Sequence, residues 1–216
     1  ASAGSTKRLY EPSFEDLVKM LQKMTSIKPN PPFAVQFSGG EPTVRDDLPQ
    51  LIKAAKDMGI PQIQVATNGK RFAKDKDYLK KVIDAGINTY YLQFDGLCPS
   101  SYEEYRGYDT FPEKKIVIEN LRNFGETSVV LVPTVSKTVN DDELGDIIYF
   151  ARDNFEVIRG INFQPLSFSG RASKEEVKKY RITITDLVTL IEDQTNGEIG
   201  KEDFYPIPFV VPVSRF

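Results

Sequence analysis

The chain has 216 residues, 40% hydrophobic, 27% charged and 11% aromatic, the composition of a folded globule with enough length to bury a sizeable core. Its 28 lysines and arginines face 31 aspartates and glutamates, and the net charge of −3 without a basic block excludes general attraction to nucleic acid or anionic lipid. Histidine is absent and Cys98 is the single cysteine. That excludes a Ser-His-Asp triad, a Cys-His pair, an imidazole zinc site, an intrachain disulfide and any metal cluster held by several of this chain's own thiolates.

A lone thiol fits a reducing compartment. No stretch reaches the roughly 18 apolar residues of a membrane span, and the N-terminus carries no signal-peptide pattern.

In chain order, Ser13 caps a predicted helix whose apolar face is Phe14, Leu17, Val18, Leu21 and Met24, stopped by the run Lys28-Pro29-Asn30-Pro31-Pro32. Phe33–Phe37 reads as a buried strand. Thr43 with Asp46 reads as the next helix start, with Leu48, Leu51, Ile52, Ala55 and Met58 as its stripe and Gly59 as its end.

The unit then recurs. Ile63–Ala66 is a strand, followed by a helix through Tyr78, Leu79, Val82 and Ile83 that closes at Gly86. Thr89–Phe94 is a strand, followed by a helix through Ile116, Val117, Asn120, Leu121 and Phe124 that closes at Gly125. Val129–Pro133 leads to a helix beginning near Asn140 and running through Ile147, Ile148 and Ala151. Ile158–Leu166 precedes a final amphipathic helix, Thr185–Gln194.

Five nearly continuous apolar strands separated by helices predict an α/β fold with a parallel sheet, either a partial or complete (βα) barrel or a doubly wound sheet. Because a helix comes first, a first strand is expected to be missing. The core is expected to occupy residues 1–195, with 196–216 as a C-terminal extension.

In such folds ligands gather at the carboxyl ends of the strands. The first strand is followed by Ser38-Gly39-Gly40-Glu41-Pro42-Thr43 and the second by Thr67-Asn68-Gly69. The third ends in Gln93-Phe94-Asp95-Gly96, the fourth in Pro133-Thr134, and the fifth in Gln164-Pro165-Leu166, before Ser167-Phe168-Ser169-Gly170-Arg171.

The paired glycines either expose backbone to an amino-acid-like ligand, with Glu41 as an acceptor for its ammonium, or only make a tight turn. Asn68-Gly69 alone reads as a turn. Gln93 and Asp95 alternate around Phe94, so both suit a ribose diol, or Asp95 caps the next helix. Arg171 pairs with an anion or is solvated. Cys98 has no base and reads as inert, and the Tyr90-Tyr91 and Tyr102/Tyr105/Tyr108 groups read as packing and loop anchors.

Taken together, the Gly39-Gly40-Glu41-Pro42 loop between strand and amphipathic helix, Thr67-Asn68-Gly69 and Gln93-Phe94-Asp95-Gly96 resemble the radical S-adenosylmethionine (radical SAM) superfamily along nearly the whole chain. Within it, Ala34–Leu48, Tyr91–Gly96 and Asn162–Leu166 are most similar to archaeal members that join tetraether lipid tails or methylate a pterin precursor. The resemblance implies a partial (βα)₆ TIM-like barrel in which S-adenosylmethionine lies beside a [4Fe–4S] cluster and yields a 5′-deoxyadenosyl radical that activates a C–H bond. It implies cofactor-binding roles for Gly39, Gly40 and Glu41 at the methionine ammonium with Pro42 in the same loop, Asn68 near its carboxylate, Gln93 and Asp95 at the ribose, and Thr134 and Gln164 on the rim near the nucleoside or substrate.

The family's cysteine loop, C-x₃-C-x₂-C after a first strand, has no counterpart in this sequence. The expectation is therefore the central part of a longer enzyme, catalytically dead alone, with no metal ligand and no catalytic residue of its own. Its expected partners are a small-molecule or lipid substrate and an electron donor such as ferredoxin, without nucleic acid. The expected location is the cytoplasm, at a membrane surface if the substrate is a lipid. The competing readings are a cluster-free nucleoside- or metabolite-binding α/β module, and a phosphate-binding barrel using Ser167–Arg171.

Overall fold

The computed structural model describes residues 11–168 and 172–205. Five parallel strands, β1 (Ala34–Phe37), β2 (Gln62–Thr67), β3 (Thr89–Gln93), β4 (Val129–Val132) and β6 (Ile158–Ile161), lie in the order β1-β2-β3-β4-β6. Two short strands, β5 (Thr134–Val135) and β7 (Gln164–Pro165), pair parallel beyond the ends of β4 and β6. Neighbours in sequence are neighbours in space, as a barrel wall requires. Expected Ile158–Leu166 is thus two strands, parted at Asn162-Phe163.

The helices are α1 (Phe14–Thr25), α2 (Leu48–Asp57), α3 (Lys70–Lys74), α4 (Lys76–Asp84), α5 (Pro99–Arg106), α6 (Phe111–Asn123), α7 (Leu144–Asp153), α8 (Lys174–Tyr180) and α9 (Ile184–Gln194). Helical stripes and alternate strand residues meet in one core that includes Ile52, Ala55, Val65, Leu79, Val82, Leu92, Leu121 and Leu131. A smaller cluster joins Val135 and Leu144 to Ile182, Leu187 and Ile191. Among the described residues no helix is long and apolar enough to cross a membrane.

Burial of the strands on both faces is not what the structure has. In β2, Ile63, Val65 and Thr67 are buried while Gln62, Gln64 and Ala66 are half-exposed, and β4 alternates in the same way. One face packs on helices and the other looks into an open half-barrel. β1 is an edge strand with Ala34 and Gln36 exposed, not a buried one.

Two expected helix starts also move. Thr43 lies in a 3₁₀ turn, Pro42–Val44, and α2 begins at Leu48 after Asp47, because the Glu41 carboxylate takes both the amide and the hydroxyl of Thr43. α7 begins at Leu144 because the Asn140 side chain is committed to the carbonyls of Asp95 and Thr134. Three helices escaped the periodicity: α3 is five residues long, α5 carries a weak stripe, and α8 buries nothing although its Ser173/Glu176 capping box is written in the sequence. After α9, Lys201 pairs with Glu192 at 2.9 Å, tying the start of the expected extension to the preceding helix. Arg171 and most of that extension, residues 206–216, lie outside the described residues.

Candidate functional site

The loop after β1 turns on Gly39, whose φ of +145° disfavours any side chain. Gly40 differs: its φ lies outside that region and a Cβ added there would meet nothing within 4 Å. Backbone geometry therefore accounts for the first glycine and not for the second. Above Gly40 is the open cleft.

Glu41 is the keystone of the rim. Its Oε1 accepts from Thr43 N (3.2 Å), Thr43 Oγ1 (2.6 Å) and Thr67 Oγ1 (2.7 Å), and its Oε2 accepts from Asn68 N at 2.7 Å. One carboxylate thus locks the β1 loop to the tip of β2, leaving Oε2 with further acceptor capacity. Pro42 is buried in the 3₁₀ turn and reaches the cleft only through its neighbours.

At the tip of β2, Asn68 Oδ1 accepts from Lys70 N at 2.9 Å, a local turn, and its carbonyl accepts from Lys114 Nζ at 2.5 Å. Gly69 has φ +79°, and a Cβ there would lie 2.8 Å from Leu92 Cδ1. Gly69→Ala is expected to cost about 1–3 kcal/mol, from strain and overpacking together, read by chemical denaturation.

The end of β3 departs from expectation. Asp95, expected at the ribose, is fully buried and is not among the residues that line the cleft. Arg106 holds it in a fork, Nε to Oδ2 at 2.7 Å and Nη2 to Oδ1 at 2.8 Å, and Gln93 Nε2 donates to Oδ2 at 2.8 Å. Gln93 and Arg106 then stand at the cleft wall. Sequence reasoning missed Arg106, which sits at the end of α5, a helix without a strong apolar period.

Glu143 was missed as well. It is 6% exposed and collects Leu97 N at 2.5 Å, Cys98 N at 2.9 Å and the Ser101 hydroxyl, capping the start of α5 from a distance. Partial burial and then Glu143 hold the exposed Cys98 thiol above its ordinary pKa, which suits an unreactive cysteine. Tyr90 and Tyr102 are buried, and Tyr105 donates into a Ser136–Asn140 network, its pKa pushed up by burial to about 12. Tyr91, expected to pack or anchor a loop, lines the cleft.

The cleft occupies about 540 Å³ at the carboxyl ends of the strands. It is lined by Gly39, Gly40, Glu41, Asn68, Gln93, Arg106, Thr134 and Gln164 among others. Its walls are mostly polar, so it suits a ligand rich in hydrogen-bonding groups. Among the described residues no group of three His, Cys, Asp or Glu side chains is placed to hold a metal ion.

The 7,8-dihydro-6-hydroxymethylpterin dimethyltransferase of Methanocaldococcus jannaschii is 51% identical over 99% of this chain, and the chain spans 42% of that relative. A probable GTP 3′,8-cyclase of the same organism is 29% identical over 77% of this chain, which matches 52% of that protein. A domain of the pyruvate-formate lyase-activating enzyme from Bacteroides vulgatus superposes with a TM-score of 0.52 at 16% identity, covering 74% of this chain and 93% of that one, and so shares the fold. The Radical SAM superfamily description matches residues 2–151, and with the half-barrel and glycine-glutamate rim in place the chain belongs to that superfamily.

Proposed function

We propose that the cleft binds S-adenosylmethionine and that the whole protein is a transferase that methylates a pterin-like heterocycle by radical chemistry. The observation that carries the cofactor reading is the empty space above Gly40 beside the available lone pair of Glu41 Oε2. An α-ammonium fits against Glu41 and the glycine backbone, while the nucleoside extends toward Gln93, Thr134 and Gln164. Arg106 and Asn68 favour the anionic end of the methionine. Asp95 acts through Arg106, holding its fork in one orientation, and Pro42 acts by fixing the turn.

When bound, S-adenosylmethionine supplies the sulfonium from which the superfamily draws its radical chemistry. This chain's residues bind it, orient it and shield it from water. The described residues do not fit a [4Fe–4S] cluster, since Cys98 is the only thiol and is exposed. None of them is a cluster ligand in this reading, and the chain alone is expected to be inactive. Methyl transfer is favoured over lipid-tail coupling by the 51% identity to a protein named for pterin dimethylation. Ferredoxin-like electron supply and a cytoplasmic location go with that reading.

The test separates fold from site. Gly40→Val is expected to leave thermal unfolding unchanged and to weaken S-adenosylmethionine binding by about tenfold or more, because the branched side chain fills the ligand's place. Calorimetry under anaerobic conditions reads the binding, and equal affinity of the variant and the native protein would overturn the assignment. Formation of 5′-deoxyadenosine by the full-length protein separates an enzyme from a nucleoside-binding module, which binds without producing it.

A further inference from the structure

Beside the cleft, sharing Asn68, Gln93 and Arg106 with it, lies a second pocket of about 300 Å³ between the ends of α3, α5 and α6. We propose that this pocket is an oxyanion subsite, in which Lys114, Thr110 and Lys70 receive a phosphate group of a substrate bound beside the ligand of the cleft.

Lys114 is 1% exposed, and among the described residues no carboxylate lies within ion-pair distance of its ammonium. An ammonium carries three donors, and the Asn68 carbonyl takes one. Thr110, also in the pocket wall, is 2% exposed and its Oγ1 is the one buried side-chain polar atom among the described residues without a partner. It stands at the N-cap of α6, a 13-residue helix, without bonding that helix's amides through its side chain.

A buried cation and an orphaned hydroxyl in one wall are each unfavourable alone, and a bound oxyanion answers both. Lys70 adds charge from the neighbouring helix start, its Nζ 4.7 Å from the centre of the Tyr108 ring. Arg106 is balanced by Asp95, so the pocket's net charge comes from Lys70 and Lys114 and suits a dianion. Bracing Asn68 explains one bond of Lys114 and leaves Thr110 unexplained.

Burial lowers the Lys114 pKa to about 8; Asp95 and Glu113 pull it up, and Arg106 and Lys70 push it down further. Anion affinity is therefore expected to fall as pH rises through that value and the ammonium loses its proton.

Inorganic phosphate titrated into the purified protein is the probe, followed by calorimetry. Saturable binding is expected, reduced about tenfold or more in Lys114→Met, less in Thr110→Val, and unchanged in Lys53→Met on the remote face of α2. Thermal unfolding of each variant separates lost binding from lost fold, and Thr110→Val stands as the test if Lys114→Met fails to fold. Absence of saturable binding in the native protein, or binding as tight as the native protein's in both pocket variants, overturns the proposal.

The identity of the molecule that delivers the oxyanion rests on the cleft reading, and the pocket itself does not. Loss of phosphate binding in saturating S-adenosylmethionine but not in 5′-methylthioadenosine, which lacks the carboxylate, gives the pocket to the methionine carboxylate and overturns the proposal. Phosphate binding that persists beside S-adenosylmethionine supports it with a phosphorylated substrate.

Discussion

Glu41→Ala is expected to lose at least about a hundredfold in S-adenosylmethionine affinity and to destabilise the fold by about 2–4 kcal/mol. The structural part follows from what the carboxylate collects. Without it, the Thr43 amide and hydroxyl, the Thr67 hydroxyl and the Asn68 amide lose their common acceptor, and Thr43 and Thr67 are both buried. Water can reach the cleft side and repair part of the loss, which keeps the cost below the sum of separate penalties. Glu41→Gln is expected to fall between: its amide oxygen can replace Oε1, but its NH₂ then faces the Asn68 N–H, donor against donor. Denaturant unfolding and calorimetry on the same samples give both numbers. A Glu41→Ala protein as stable as the native one would remove the keystone role.

Arg106→Met is expected to cost about 3–5 kcal/mol, more than Asp95→Asn. The two changes break the same fork but leave different groups behind. Removing the guanidinium strands a carboxylate with 0% exposure, whereas removing the carboxylate charge leaves a guanidinium that is 34% exposed and able to turn to water. The double variant Asp95→Asn with Arg106→Met is expected to recover part of the loss, since no uncompensated charge remains inside. If Asp95→Asn proves the more damaging, the pair matters for aiming Gln93 rather than for charge balance.

The alternation of strands and helices was legible because stripes such as Leu48–Leu51–Ile52–Ala55 and Leu79–Val82 have no use except a core. Exposure was misread where apolar residues serve the cleft: Tyr91 and Val132 look like buried strand residues and line an opening. Thr43 and Asn140 misled for another reason. Each is chemically fit to cap a helix, yet its hydrogen bonds are claimed by groups elsewhere, Glu41 for the first and the Asp95 and Thr134 carbonyls for the second.

On the rim, the glycine-glutamate loop was recognisable as a run of neighbours. Arg106 and Lys114 were not, because their partners Asp95 and Asn68 lie 11 and 46 positions away, and no local pattern records a contact of that span. Asp95 stands at the strand end that the sequence indicates, and its carboxylate is held by the Arg106 guanidinium, a contact the sequence does not record.

α5 is held at both tips, by Glu143 gathering the Leu97 and Cys98 amides and by Asp95 gripping Arg106. Even Gly96 belongs to the device, since a Cβ there would lie 2.8 Å from the Glu143 oxygens. A helix clamped in this way presents its terminal guanidinium in one pose before any ligand arrives. Rotamer freedom that an unclamped arginine would surrender on binding has been given up once, during folding, and does not weaken each later encounter.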